Sequence, residues 1–324
     1  DFTSHGFGDG QTYAFWPMLI GGLFLYISYY GCDQSQVQRE LSSRSVDDTN
    51  MSLFLNGILR FPLVITYCLL GVAIAAFIVI NPDFLSRIPT VVGSQGQTNF
   101  NLAVPVFCLN YLPHGIIGLI MVALFSAAMS SLDSTINSLS ATTIRDIIER
   151  FFVGHELEAG KQLYWSRLTT VFWGAVCIIF SFFVGGISSS IVESINKIGS
   201  LAYGPILATF LLAILTRKAN DKGTIAGIVT GFGINIYLWV FHPNISWMWW
   251  NVIGCVVTFI GGYLISLILG GEEAVPDNID DLVYNSDSTK SFNFKRNWPV
   301  YYGVLVGYFA LMIVVLKLIE KSFV

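Results

Sequence analysis

Eight apolar runs, each long enough to cross a lipid bilayer as a helix, constrain this chain more than any other feature. A helix needs about 20 mostly apolar residues to cross the hydrocarbon core of a membrane. The runs lie at about residues 13–31, 55–81, 114–132, 165–187, 196–216, 223–241, 247–270 and 299–318. Because no strand-like alternation is seen in the sequence, the pattern predicts an all-α polytopic membrane protein with about eight transmembrane helices.

The composition agrees with a membrane protein. Only 12% of the residues are charged, whereas soluble domains carry about a quarter. The mean hydropathy is +0.64, and the net charge of −4 gives no reason to expect a nucleic-acid partner. The five cysteines are scattered without a CxxC pair, so we assign them no disulfide or metal role.

The distribution of basic residues predicts the orientation of the chain. Eight spans alternate the loops between two sides, and 12 of the 17 Lys and Arg residues then fall on one side. That side is cytoplasmic, because Lys and Arg are retained there. The N-terminal segment has neither an initiator Met nor a signal-peptide pattern, so we expect this chain to be a piece of a longer protein. We expect a multi-pass protein of the cell membrane, and specifically of a bacterial inner membrane.

A stripe of hydroxyl residues follows the third apolar run. Ser130, Ser134, Asn137 and Ser138 share one helical face, and Ala127 lies one turn earlier. Neutral hydroxyl oxygens and backbone carbonyls suit a sodium ion, which such ligands hold weakly enough to release. The alternative is that the hydroxyls are contacts between membrane helices.

Two charged residues stand within or beside apolar runs. Placing the carboxylate of Asp133 in a bilayer costs free energy, so we expect it to have a partner or a function. The alternative is that Asp133 lies in a cytoplasmic extension of its helix. Arg60 lies several residues inside the second run. Its side chain either reaches the cytoplasmic interface, lines an aqueous cavity, pairs with an acid such as Asp33, or meets an anionic solute group.

Several motifs together resemble the sodium:solute symporter family. The stretch Gly21-Gly22-Leu23-Phe24-Leu25-Tyr26-Ile27-Ser28-Tyr29-Tyr30-Gly31, followed by Gln34 and Gln38-Arg39, is similar to the sixth core helix of the family and the loop after it. The run from Ala127 to Ser138, ending in Thr143-Ile144-Arg145, is similar to the eighth core helix. The run from Gly204-Pro205 to Lys222-Gly223 is similar to the tenth.

The resemblance implies a LeuT-like fold built from two inverted five-helix repeats. Residues 1–216 would hold the second repeat, and the first repeat would be absent from this chain. Residues 217–324 would form three appended transmembrane helices with an acidic loop at about 271–297.

The resemblance also implies site residues. Ala127 would offer its carbonyl oxygen to sodium, and Ser130 and Ser131 their hydroxyls. Ser134 falls where some relatives bind a second sodium ion. Asp133 replaces a small or hydroxyl residue of the family, which leaves the sodium count open.

On the solute side, Tyr29 matches the aromatic inner gate of the sugar transporters. Tyr26 stands where those transporters have an Asn, Arg60 where they have a Lys, and Lys197 near a sugar-binding Gln. These departures argue against a sugar as the solute, and the two basic residues favour an anionic or polar organic solute.

The resulting hypothesis is sodium-coupled symport of a small polar organic solute by alternating access. Its partners would be the lipid bilayer, the solute and Na+ as coupling ion, with no other cofactor and no nucleic acid. The alternative is a transporter-like sensory module of a membrane receptor or histidine kinase. An enzyme is disfavoured, because the four histidines all lie near helix ends or loops: His5, His114, His155 and His242.

Overall fold

The fold is helical throughout the described part of the chain. The computed structural model describes residues 3–90, 97–184, 190–269, 283 and 294–323. Among these residues, extended pairing is limited to two isolated bridges, Phe7 with Ile245 and Thr90 with Thr98. The chain divides into two compact units: Asp1–Val37 with Thr90–Tyr284, and Gln38–Pro89 with Asn285–Val324.

Eleven α-helices within the described residues are labelled in chain order. They are α1 Gly22–Cys32, α2 Gln34–Leu41, α3 Val46–Ile80, α4 Asp83–Arg87, α5 Ala103–Tyr111, α6 His114–Thr142, α7 Ala159–Val184, α8 Ile191–Leu215, α9 Asp221–Phe241, α10 Met248–Leu269 and α11 Trp298–Phe323. A π-helical segment, Pro17–Gly21, leads into α1, and a second one, Thr143–Val153, continues α6.

Seven of the described helical segments are long and apolar enough to cross a membrane. They correspond to seven of the eight predicted spans, which confirms the all-α polytopic class and makes the chain a multi-pass membrane protein. The first predicted span, 13–31, forms a shorter apolar helix over Pro17–Cys32.

Helix boundaries differ from the apolar runs because polar residues extend several helices. The third helix, α3, begins at Val46 rather than at 55, since the Ser45 side chain accepts a hydrogen bond from the Asp48 amide and caps its N-terminus. Asp47 and Asp48 in the first turn also favour a start there. Helix α6 extends well beyond 132, and the short helix α5 was not predicted.

Close packing of α9 against α10 depends on glycine. Gly223, Gly227 and Gly231 recur at four-residue spacing along α9. A Cβ atom at Gly227 would lie 2.7 Å from the carbonyl oxygen of Thr258 and 2.8 Å from the Cα atom of Gly262. The absence of side chains therefore lets the two backbones touch, as is common between membrane helices.

Helix α8 contains a proline, and a side chain of α9 compensates for it. Pro205 has no amide N–H, so the carbonyl group of Leu201, four residues earlier, loses its helical partner. The Asn235 side-chain amide donates a hydrogen bond to that carbonyl oxygen at 3.0 Å. Asn235 is fully buried, and a Cβ atom at Gly254 would collide with it and with Pro205. The three helices α8, α9 and α10 thus form one tightly packed bundle.

The second unit is built around α3 and α11. The buried carboxylate of Asp47, at the start of α3, accepts hydrogen bonds from Arg296 and from the indole N–H of Trp298, each at 2.7 Å. Further along the pair, the Tyr308 hydroxyl donates to the carbonyl oxygen of Ile58 at 3.0 Å. These bonds join α11 to α3 near the polar end and again deeper along the helices.

The predicted division at residue 216, into a five-helix repeat and three appended helices, stays a prediction. Most of the predicted acidic loop at about 271–297 lies outside the described residues.

Candidate substrate and ion site

The serine stripe forms a ladder of hydroxyl groups along α6. The Ser134 hydroxyl donates to the carbonyl oxygen of Ser130 at 3.1 Å, and the Ser138 hydroxyl donates to that of Ser134 at 2.9 Å. Beside them, Thr135 donates to the carbonyl oxygen of Ser131 at 3.0 Å. The helix thus presents a strip of neutral oxygen atoms without any charged ligand on the stripe itself.

The predicted sodium residues lie together on α6, and most of them are exposed. Ala127, Ser130, Ser131 and Asp133 are exposed, and Ser134 is half-buried. A cation held here by α6 alone would have ligands on one side only, whereas a bound ion needs several oxygens around it. The exposed oxygens of α6 are therefore a candidate for one half of an ion site.

Asp133 lies in the helix rather than beyond it. Its carboxylate accepts a hydrogen bond from the Asn137 side chain at 3.2 Å. At 1.5 Å per residue, Asp133 is about 29 Å from His114 along α6, close to the thickness of the hydrocarbon core. For a membrane span that begins at His114, this distance puts Asp133 near the opposite edge, where burying a carboxylate costs less free energy.

The two predicted solute tyrosines line different cavities of the first unit. Tyr29 lines a cavity of about 690 Å³ together with Asp33, Ser138 and Tyr203. Tyr26, which is 44% exposed, lines a smaller pocket of about 320 Å³. The larger cavity is therefore lined both by Ser138, the last residue of the serine stripe, and by Tyr29, the predicted gate.

The hydroxyl group of Tyr29 is not free. It accepts a hydrogen bond of 2.6 Å from the side-chain amide of Gln36 on α2. Its ring meets Tyr30 edge to face at 5.2 Å between centroids. The Tyr29 side chain is thus contacted by Gln36 at its hydroxyl group and by Tyr30 at its ring.

The smaller pocket combines aromatic and acidic groups. Tyr13, Tyr26, Glu193, Asn196 and Trp247 are among its lining residues. Glu193 was not predicted to line a pocket, although it stands one helical turn before Lys197 and that spacing indicates an ion pair.

The two predicted basic residues have different settings. The Lys197 ammonium group lies 2.9 Å from the Glu193 carboxylate, with both side chains mostly buried. Arg60 is exposed on α3, in the second unit, about 21 Å along that helix from Val46. Arg60 therefore lies several residues inside the apolar run that begins at about 55, and Lys197 forms an ion pair with Glu193.

Other residues around the larger cavity were missed by the sequence analysis. The Ser28 hydroxyl donates to the carbonyl oxygen of Tyr203 at 2.9 Å, and the Trp173 indole donates to the Thr143 hydroxyl at 2.9 Å. Tyr203 directly precedes Gly204-Pro205, the start of the run that resembles the tenth core helix, and this position was the signal in the sequence that could have pointed to it.

The seven long apolar helices of the described residues define a polytopic membrane protein, and sequence comparison gives its class. The pattern of the family described as "Sodium:solute symporter family" matches residues 8–231. The chain belongs to the sodium:solute symporter family, as its motifs indicated. The relatives that it matches are named as transporters, not as enzymes.

The chain is 28% identical to the sodium/sialic acid symporter NanT of Aliivibrio fischeri over 286 residues, which cover 87% of this chain and 54% of NanT. It is 30% identical to sodium-coupled monocarboxylate transporter 1 of Mus musculus over 233 residues, which cover 71% of this chain and 36% of that protein. The chain thus spans about half, or less, of the length of these curated relatives.

A solved structure shares the fold. It is described as the substrate-bound outward-open state of a Na+-coupled sialic acid symporter that reveals a novel Na+-site. The superposition has a TM-score of 0.60 with 25% sequence identity, and it covers 78% of this chain and 50% of the other. This likeness supports the LeuT-like architecture that the motifs implied.

Proposed function

We propose that the protein couples the entry of Na+ to the uptake of a small polar organic solute by alternating access. The observation that carries this proposal is the exposed strip of hydroxyl and carbonyl oxygens on α6, in a chain of the sodium:solute symporter family. Such a strip would be half of a sodium site, and the other half would come from a helix of the complete protein outside this chain.

In this proposal Ser130 and Ser131 bind Na+ through their hydroxyl oxygens, and Ala127 through its carbonyl oxygen. Ser134 and Asp133 are the candidates for a second ion. Binding would tie α6 to the partner helix and stabilise the outward-open state. Release of Na+ to the cytoplasm would loosen that contact, so that the ion gradient drives the conformational cycle.

The solute would meet Tyr26 on the outer side and leave past Tyr29 on the inner side. Tyr26 and Tyr29 are one helical turn apart on α1 but line separate cavities, which suits a path that is open at one end at a time. Arg60 and Lys197 stay candidates for contact with a polar group of the solute. The relatives named for sialic acid and for monocarboxylates illustrate how widely the solute can vary.

The division of the chain is part of the same proposal. Residues 1–216 would be the second inverted repeat of the core, and residues 217–324 the appended helices. The protein would lie in the cell membrane, and the bacterial inner membrane is the proposed location.

The test is uptake by purified protein, expressed from its complete gene, in proteoliposomes with an inward gradient of either Na+ or K+. The solute panel would contain labelled sugars, amino acids, carboxylates and sialic acid. We expect Na+-dependent accumulation of one class, and its loss in the double variant Ser130→Ala, Ser131→Ala.

The matched control is Ser181→Ala on α7, where an exposed hydroxyl donates within its own helix. This control should transport at the wild-type rate. Undiminished Na+-dependent uptake by the double variant would overturn the ion site. Absence of uptake of every solute by folded protein would instead favour the sensory alternative.

A further inference from the structure

The hydrogen bond between Gln36 and Tyr29 joins two helices across a sharp turn. Tyr29 lies near the C-terminal end of α1, and Gln36 lies in the first turn of α2. The two helices are separated only by Asp33, which has an extended backbone conformation. The side-chain amide of Gln36 reaches back over this turn to the Tyr29 hydroxyl at 2.6 Å.

Asp33 fixes the geometry of the turn. Its carboxylate accepts hydrogen bonds from the Ser35 amide at 2.8 Å and from the Ser35 hydroxyl at 2.5 Å, as an N-capping residue does. Its carbonyl oxygen accepts from the amides of Gln36 and Val37 at 3.0 and 2.9 Å. The start of α2 is therefore well defined, and Gln36 is directed toward the preceding helix.

The cavity beside this bond has the size of a small-molecule site. Its volume of about 690 Å³ falls within the range of about 300–1,000 Å³ typical of ligand pockets. Tyr29 and Cys32 both line it, from the same side, while Thr135 of α6 and Tyr203 of α8 line it from the others. The structure thus shows the open cavity and the bond between Gln36 and the Tyr29 hydroxyl together.

We propose that Gln36 is a positioning residue that holds Tyr29 in the wall of this cavity and so keeps the inner solute path open. The inference rests on the proposed function, in which Tyr29 is the inner gate. The turn belongs to the segment before Arg39 and Arg44, which the distribution of basic residues assigns to the cytoplasmic side. When the bond breaks, the ring swings into the cavity and obstructs release.

Cys32 provides a native reporter of this motion. It lines the same cavity three residues after Tyr29, and its thiol is partly buried. The experiment measures the rate at which a charged maleimide alkylates Cys32 in inside-out membrane vesicles, quantified by peptide mass spectrometry. The protein is expressed from its complete gene, and each variant is measured in Na+ and in K+.

We expect Gln36→Leu to slow the alkylation of Cys32 by about two- to tenfold, the range that one hydrogen bond allows. Tyr29→Phe removes the same bond from its other end and should slow alkylation similarly. The double variant should be no slower than either single variant, because the two changes break one interaction. Gln36→Glu should restore the wild-type rate, since its carboxylate accepts a hydrogen bond from the Tyr29 hydroxyl.

The matched control is Gln38→Leu, the same change at an exposed position of the same helix, which should alkylate at the wild-type rate. A wild-type rate in Gln36→Leu would overturn the positioning role. Additive effects in the double variant would also overturn it, because they would indicate a general loosening of α2.

The readout also separates this inference from the proposed function. Alkylation of Cys32 needs no solute, whereas symport is measured by Na+-driven uptake. Slower alkylation in Gln36→Leu, together with uptake that does not depend on Na+, would support the role of Gln36 and contradict symport. Na+-driven uptake with unchanged alkylation would support symport and contradict the role of Gln36.

Discussion

The ammonium group of Lys197 lies 2.9 Å from the carboxylate of Glu193, one turn earlier on α8. The two side chains are only 25% and 21% exposed, so water screens the pair weakly. Glu193 also lines the pocket that contains Tyr26. The charges of Lys197 and Glu193 thus neutralise each other within α8, so the pocket beside Tyr26 does not offer a solute a free ammonium group.

We expect Lys197→Met to destabilise the protein by about 1–2 kcal/mol, between the values for exposed and for buried ion pairs, because it leaves the Glu193 carboxylate without its partner. The double variant Glu193→Gln, Lys197→Met should recover most of this loss. Thermal unfolding in detergent, followed by size-exclusion chromatography, measures both variants.

Uptake assays on the same variants test the solute contact. If Lys197 binds an anionic solute directly, the double variant should be stable but inactive. If the ion pair is structural, the double variant should regain transport along with stability. A double variant that is less stable than Lys197→Met would contradict the pairing argument.

The fold class could be predicted from the sequence because the bilayer dictates the length of apolar runs. Boundaries could not, since hydropathy does not detect polar residues that extend a helix, such as the Ser45 cap of α3 or the continuation of α6 beyond Asp133. The first span is shorter in the structure than its apolar run, because its helix begins at Pro17 rather than at about 13, and proline is favoured at a helix start.

The candidate site was predictable only where the chemistry is local. The serine stripe follows from helical spacing, and the structure shows Ser130 and Ser134 bonded in succession along one face. The Gln36–Tyr29 bond depends on a turn between two helices, and the lining of the cavity by Tyr203 depends on packing of α8. Neither relationship is encoded in the periodicity of a single segment.

A second prediction concerns the proline in α8. Asn235→Leu should destabilise the protein by about 1–3 kcal/mol, because the Leu201 carbonyl group loses its donor in a buried, water-free bundle. Pro205→Ala should lessen that cost by supplying the missing amide N–H at this position. Thermal unfolding of the two single variants and the double variant gives the coupling energy. Strict additivity of the two effects would contradict the proposed compensation.

A third prediction tests the glycine contact between α9 and α10. Gly227→Ala should destabilise the protein by about 1–3 kcal/mol, since the new methyl group would press on the backbone at Thr258 and Gly262. The matched control is Gly233→Ala on the same helix, where a Cβ atom meets nothing within 4 Å. The control should be neutral or slightly stabilising, because alanine favours the helix over glycine. Equal unfolding temperatures for the two variants would refute the close approach.

The final prediction concerns the segment before α1, which Asp9 organises. The Asp9 carboxylate accepts hydrogen bonds from the amides of His5, Gly6 and Gln11 at 2.7, 2.8 and 3.0 Å. The carbonyl oxygens of His5 and Gly6 in turn accept bonds from Trp249 and Ser246, at the start of α10. The amides of Gly6 and Gln11 hold the pKa of Asp9 below its usual value.

A lowered pKa means that the ionised carboxylate stabilises the folded segment. This stabilisation is fully present above the unfolded pKa of about 3.9 and is lost as the pH falls through the lower folded value. Hydrogen-exchange protection factors of residues 5–11 should therefore stay constant from neutral pH down to about 4 and decrease below it.

The variant Asp9→Ala provides the control, because it should show low protection at every pH. In that variant the contact with Trp249 should loosen as well, since His5 is no longer held in place by its amide. Wild-type protection that rises as the pH falls, or full protection in Asp9→Ala, would show that the carboxylate does not organise this segment.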